Sequence, residues 1–192
     1  MLAVFAAGIF AGAQSRLPSF LNQPALSLYA LYLLLFLVGV GMGANREAWE
    51  MLRRLNWRIL GVPLGVIAGT LAGVGLFSLL LPEMTLRQAL AVGAGFGYYS
   101  LSSILITQLH GETLGVIALL ANILREIGTL LLTPWLVQRW GKLAAAAAGG
   151  ATAMDTTLPV IARYAGSDTA IIAFCSGVIL TLLVPVLVTA LL

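Results

Sequence analysis

The chain has 192 residues, of which 60% are hydrophobic and 9% charged, and its mean hydropathy is +1.03. Soluble domains carry about 25% charged residues, so this composition excludes a soluble globular protein and predicts an integral membrane protein. The net charge of +3 comes from ten basic and seven acidic side chains spread along the chain, which is no basic patch and excludes a nucleic-acid partner.

Long apolar runs predict helices, because a helix satisfies its own backbone in lipid. The first run, about 1–15, has no basic residue ahead of it, so it predicts a short membrane helix rather than a cleaved leader. A polar stretch, Gln14–Gln23, follows. The second run, about 26–44, ends in Gly39, Gly41 and Gly43, which suits close helix packing. A basic loop with Arg46, Arg53, Arg54 and Arg58 leads to a third, uncharged run at about 59–81. The next segment, 86–109, is interrupted by Gly95-Phe96-Gly97-Tyr98-Tyr99-Ser100-Leu101-Ser102-Ser103. A run at 113–137 carries Asn122, Arg125 and Glu126 at membrane depth. Segment 143–165 is interrupted by Gly149-Gly150-Ala151-Thr152-Ala153-Met154-Asp155-Thr156-Thr157-Leu158-Pro159, and a last uncharged run covers 169–192.

The two interruptions carry the functional signal. Broken helices survive at membrane depth only where protein or a water-filled cavity surrounds them, and paired breaks point to a transporter binding site. The breaks superpose with Gly95 on Gly150, Gly97 on Thr152, Ser100 on Asp155 and Ser102 on Thr157. Cytoplasmic loops are enriched in Lys and Arg, which places the basic loop inside. If both broken segments are re-entrant hairpins, Arg139, Lys142 and Arg163 join it, leaving only Arg16 and Arg87 outside. The expected architecture is therefore about five transmembrane helices plus two oppositely oriented re-entrant hairpins, 86–109 and 143–165. Each hairpin is followed by a crossing, giving an inverted repeat with Met1 inside and Leu192 outside. Five crossings is an odd count for a complete inverted-repeat transporter and points to further upstream helices.

Glu126 is the first candidate for chemistry, since ionisable groups at helix centre cost about 2.5–3.5 kcal/mol to insert and mark ion or substrate pathways. Asn122 lies one turn earlier on the same face. Arg125 is poorly placed to neutralise Glu126, because neighbouring helical residues point about 100° apart; the carbonyls ending a hairpin half-helix are the better partners. Asp155, at the second break, is expected to bind a cation; its structural alternative is to cap a half-helix over 156–164, and the two roles are compatible. Ser100, Ser102, Ser103, Thr152, Thr156 and Thr157, with backbone freed at Gly95 and Gly97, offer ligands for a zwitterion. Tyr98 and Tyr99 are placed either to stack on a substrate or to mark an interface. Half-helix N-termini attract carboxylates and acidic side chains attract ammonium groups, a pairing suited to an amino acid.

Enzyme chemistry finds no support. Cys175 and His110 are single and read as structural, no metal-ligand spacing occurs, only Asp155 among the aspartates lies in an apolar segment, and no phosphate-binding Gly/Lys loop is present. No cofactor is implied.

The Gly95–Ser102 motif, Asn122-Ile123-Leu124-Arg125-Glu126, the stretch Gly150–Val160 and Phe36-Leu37-Val38-Gly39-Val40-Gly41 together resemble the lysine exporter family LysO. The resemblance spans nearly the whole chain. It implies export of L-lysine, or a close cationic amino acid, from a prokaryotic cytoplasm across the inner membrane by proton antiport. It also implies an elevator-type fold related to the cation/proton-antiporter and bile-acid transporter folds. Residues 1–82 would then form a scaffold part and 83–192 the moving transport part. A pair of intramembrane acids matters in the family; one falls on Glu126, and the other belongs to an upstream portion not matched here. Asp155 matches the acid of the second tip motif. The implied partners are L-lysine, protons, the lipid bilayer, and a separate N-terminal subunit of about three helices or a second copy in a homodimer. Two other readings stay open: a sodium-coupled carrier of organic anions with the same hairpins, and a non-transporting membrane subunit.

Overall fold

The computed structural model describes residues 60–192 continuously, with isolated helical residues between positions 10 and 50. The runs expected at 1–15 and 26–44 lie outside the continuously described residues. By contacts the chain divides into Met1–Val40 and Gly41–Leu192, and the description below concerns the second unit.

Its described part is helical throughout. Three helices are long and apolar enough to cross a membrane: α1 (Gly61–Ser78), α4 (Glu112–Trp140) and α7 (Ser167–Leu191). Between α1 and α4 lie α2 (Leu86–Gly93) and α3 (Tyr99–His110). Between α4 and α7 lie α5 (Lys142–Gly149), a 3-10 turn over Gly150–Met154, and α6 (Leu158–Ala165). Every apolar segment expected in this stretch is present, and both interruptions are real breaks in the helix.

Local chemistry sets the boundaries. Pro63 occupies the first turn of α1, where its missing N–H costs nothing. Helix α2 opens on a capping box: the Thr85 hydroxyl accepts from Gln88 N–H at 3.3 Å, and the Gln88 side chain accepts from Thr85 N–H at 2.9 Å. Single glycines, Gly111, Gly141 and Gly166, make the turns α3–α4, α4–α5 and α6–α7. At 29 residues, α4 is about 43 Å long at 1.5 Å per residue, ample for a hydrocarbon core of about 30 Å. Thr129 and Thr133 donate to the carbonyls one turn back, at 2.9 and 2.6 Å, which hides their hydroxyls inside an apolar helix.

Helix α7 is the core of the unit: half of its most apolar stretch is buried, against 17% for α1. It packs on the 3-10 turn, α5, α6, α3 and α2. Helix α2 lies against α1, with Gly75 beside Leu86 and Leu90 and Gly93 beside Val74. Leu81, Pro82, Glu83 and Met84, between α1 and α2, line one groove with Thr113 and Ile117 at the start of α4. In the second half, Ala145 and Ala146 of α5, Ile161 and Ala165 of α6, and Ala173 of α7 form one cluster, packed by Val137 near the end of α4. The alanine run of α5 supplies helix propensity and small side chains together. Leu76, Phe77, Leu79, Leu80, Leu124 and Leu131 are exposed, an uncharged surface matched to lipid.

Candidate functional site: two helix breaks pinned to one polar helix

The breaks meet. Ala151 N–H of the second donates to the Phe96 carbonyl of the first at 2.9 Å. Gly97 also lies against the second break: a side chain there would stand 3.4 Å from the Gly149 carbonyl and from Thr152 Cγ2. Gly150 adopts φ +60°, and a Cβ there would collide with the Phe96 carbonyl, so only glycine allows this approach. Phe96 itself sits at φ +47° with its side chain fully buried. Such a backbone persists only where its surroundings hold it. Pairs superposed from the sequence, Gly97 with Thr152, and neighbours Phe96 and Ala151 are thus in contact.

Helix α4 fixes both breaks. Asn122, 3% exposed, accepts from Gly97 N–H through Oδ1 at 2.7 Å and donates through Nδ2 to the carbonyls of Val92 at 3.2 Å and Ala118 at 2.8 Å. Gly95 makes room for it, since a Cβ there would stand 2.6 Å from Asn122 Nδ2 and 2.7 Å from Ser102 Oγ. Three residues on, Arg125 donates through Nε to the Ala148 carbonyl at 3.0 Å, through Nη2 to the Ala147 carbonyl at 3.1 Å, and through Nη1 to Thr70 Oγ1 on α1 at 3.1 Å. The half-helix carbonyls that the sequence offered as its better partners are the ones it takes. Glu126 is the next residue and is half-buried.

The capping alternative for Asp155 needs correction. Asp155 does not cap a helix over 156–164: α6 starts at Leu158 with Thr157 at the cap position, and the Asp155 carboxylate accepts from Thr156 N–H at 2.6 Å and Thr156 Oγ1 at 3.3 Å. The 3-10 turn continues the chain past Gly150, and Thr157 N–H returns to the Thr152 carbonyl at 3.1 Å, so the helix begins late. The Asn122 amide is engaged by backbone groups.

The hydroxyls divide into two sets. Ser102 donates to the Tyr98 carbonyl at 2.9 Å, Thr152 donates to the Gly149 carbonyl at 2.9 Å and lies 3.4 Å from the Thr157 hydroxyl, and all three residues are buried. These shape the breaks. Ser103 is 8% exposed, whereas Ser100, Asp155 and Thr156 are exposed, and Tyr98 is half-buried within electrostatic reach of the Asp155 carboxylate. Cys175 is a buried free thiol in α7, and His110 is an exposed residue ending α3. Thr70 and Phe96 were not singled out from the sequence. Thr70 is the one hydroxyl in the middle of the apolar run of α1, whose other, Ser78, ends the helix, and that position was the available signal.

Two broken helices joined at their breaks and pinned by a polar, charge-bearing helix long and apolar enough to cross a membrane define a multi-span membrane protein with a polar centre. The family model for the lysine exporter LysO matches residues 2–192, and the chain belongs to that family. It is 40% identical over 162 residues to the "Lysine exporter LysO" of Escherichia coli K12, a match covering 84% of this chain and 53% of that protein. It is 36% identical over 163 residues to a Haemophilus influenzae protein whose lysine-exporter designation is provisional, covering 84% of this chain and 81% of that one. The chain thus spans about half the length of its E. coli relative. No solved structure matches it.

Proposed function

We propose that this chain is the part of an inner-membrane exporter that binds L-lysine, or a close cationic amino acid, and exchanges it for protons. The E. coli relative's name supports the substrate. The observation that carries the reading is that α4 fastens both breaks through Asn122 and Arg125, with the half-buried Glu126 the next residue of the same helix. On this reading the Glu126 carboxylate holds either a proton or the ammonium of the substrate side chain. The α-amino and carboxylate groups fall to Asp155 and to Tyr98, Ser100 and Thr156 at the breaks. Alternating the two cations keeps the site near neutral as it crosses a low-dielectric barrier, where uncompensated charge is costly.

Re-entrant hairpins belong to this proposal. Supporting it, the α1–α2 loop shares a groove with the start of α4, and the ends of α4 and α6 share one core cluster. We read 83–192 as the moving part and 1–82 as the scaffold, although contact alone groups α1 with the later helices. A partner subunit of about three helices, or a second copy of the chain, completes the same reading.

The test is export of a toxic lysine analogue by cells lacking their own exporter. Glu126→Gln should insert normally and lose export, whereas unaltered export would remove Glu126 from the mechanism. In proteoliposomes an outward proton gradient should drive lysine but not dicarboxylate movement; the opposite preference would favour the organic-anion carrier.

A further inference from the structure

Helix α5 ends at the second break with carbonyls that have no partner within the helix. Such a C-terminus carries the equivalent of about half a negative charge and attracts cations. A transporter of a cationic solute therefore has a problem: this pole competes with the carboxylate for the substrate's ammonium. The pole is already filled. The guanidinium of Arg125 reaches across from α4 and forks onto the Ala147 and Ala148 carbonyls at 3.1 and 3.0 Å, leaving Nη1 for Thr70 Oγ1 at 3.1 Å. Three donors in one plane meet three acceptors, a geometry that a lysine ammonium cannot reproduce. The side chain also covers the point where the breaks touch: a Cβ on Gly150 would stand 3.0 Å from Nη2, and one on Gly97 3.8 Å from Cδ.

The first break is treated differently. There the end of α2 receives a neutral donor, Asn122 Nδ2 on the Val92 carbonyl. Of the two negative helix ends, one is neutralised by a resident cation and the other only hydrogen-bonded.

We propose that Arg125 is a positioning residue and resident cation, not a substrate ligand. It occupies the α5 pole, fixes the second break to α1 and α4, and so leaves Glu126 as the acidic partner for a mobile cation. The last clause rests on the function proposed above; the occupancy of the pole does not.

Replacement by alanine should vacate a planar, guanidinium-shaped site. We expect Arg125→Ala, purified in detergent with the full chain, to be less heat-stable than the parent and to be stabilised by millimolar guanidinium, but not by ammonium or tetramethylammonium. The parent protein should not respond. In cells, export by Arg125→Ala should fall by about tenfold or more and recover partly with added guanidinium; Arg125→Lys should fall less and not respond, because its stem fills the space. Guanidinium selectivity with no lysine export under any condition would uphold the resident cation and remove the lysine reading. An equal guanidinium response in parent and variant would overturn the proposal. Should Arg125→Ala fail to insert, Arg125→Gln and Arg125→Lys decide: parental export and heat stability in both would overturn it, and greater loss in Gln than in Lys would support it.

Discussion

At the residue scale, the site depends on backbone groups held by very few side chains. Asn122 satisfies Gly97 N–H and the carbonyls of Val92 and Ala118 from a position 3% exposed. Asn122→Ala strands Gly97 N–H, while the Val92 carbonyl keeps Gly95 N–H at 3.3 Å and the Ala118 carbonyl stays in the α4 ladder, and a buried unsatisfied polar group costs about 1–3 kcal/mol. The variant should therefore melt earlier in detergent and transport poorly, whereas Asn122→Gln should not rescue it, since Gly95 leaves space only for the shorter amide. Gly150 is equally constrained. Gly150→Ala needs both a left-handed backbone and a displacement of the Phe96 carbonyl, so the Ala151–Phe96 bond should be lost and export with it. A fully active, parent-stable Gly150→Ala would contradict the contact between the breaks.

At the element scale, α4 and α7 divide the work. Both lie against a break, but the polar side chains Asn122, Arg125 and Glu126 all belong to α4. The positions 55 residues further on, the offset that superposes the breaks, are Gly177, Leu180 and Thr181 on α7. Gly177 lets α7 touch the 3-10 turn: a Cβ there would stand 2.7 Å from Met154 N and 2.9 Å from the Ala151 carbonyl. Thr181 only donates to Met154 Sδ at 3.5 Å. Gly177→Val should push α7 from the turn at an overpacking cost of about 1–3 kcal/mol, read as a lower melting temperature. Thr181→Val should change stability by less than about 1 kcal/mol, because a thioether is a weak acceptor.

At the scale of the whole molecule, the open matter is how the chain threads the bilayer. The hairpin reading requires the two ends of 86–109 to lie on one face and the two ends of 143–165 on the other. In a Cys175→Ser background, single cysteines at Glu83 and Glu112 should react with an impermeant thiol reagent from one side of the membrane. Cysteines at Lys142 and Asp168 should react from the other. Labelling of Glu83 and Glu112 positions from opposite faces would mean that the broken segments cross fully.

The amino-acid pattern by itself determined the membrane character, the three described spans and the positions of both breaks. These follow from local physics: apolar length matches bilayer thickness, and glycine with clustered hydroxyls cannot continue an unsupported helix in lipid. It also made half-helix carbonyls the better target for Arg125, because adjacent helical residues diverge. What it misread was a matter of register: the 3-10 turn delays α6 to Leu158 and takes Asp155 off the cap. The engagement of the Asn122 amide depends on where Gly97 and Val92 fall in space. Only the tertiary structure decided that Phe96 and Ala151 bond across the breaks and that Thr70 completes the Arg125 fork. Those contacts join residues 55 positions apart in the chain, and no local preference encodes which distant carbonyl or hydroxyl a buried donor will meet.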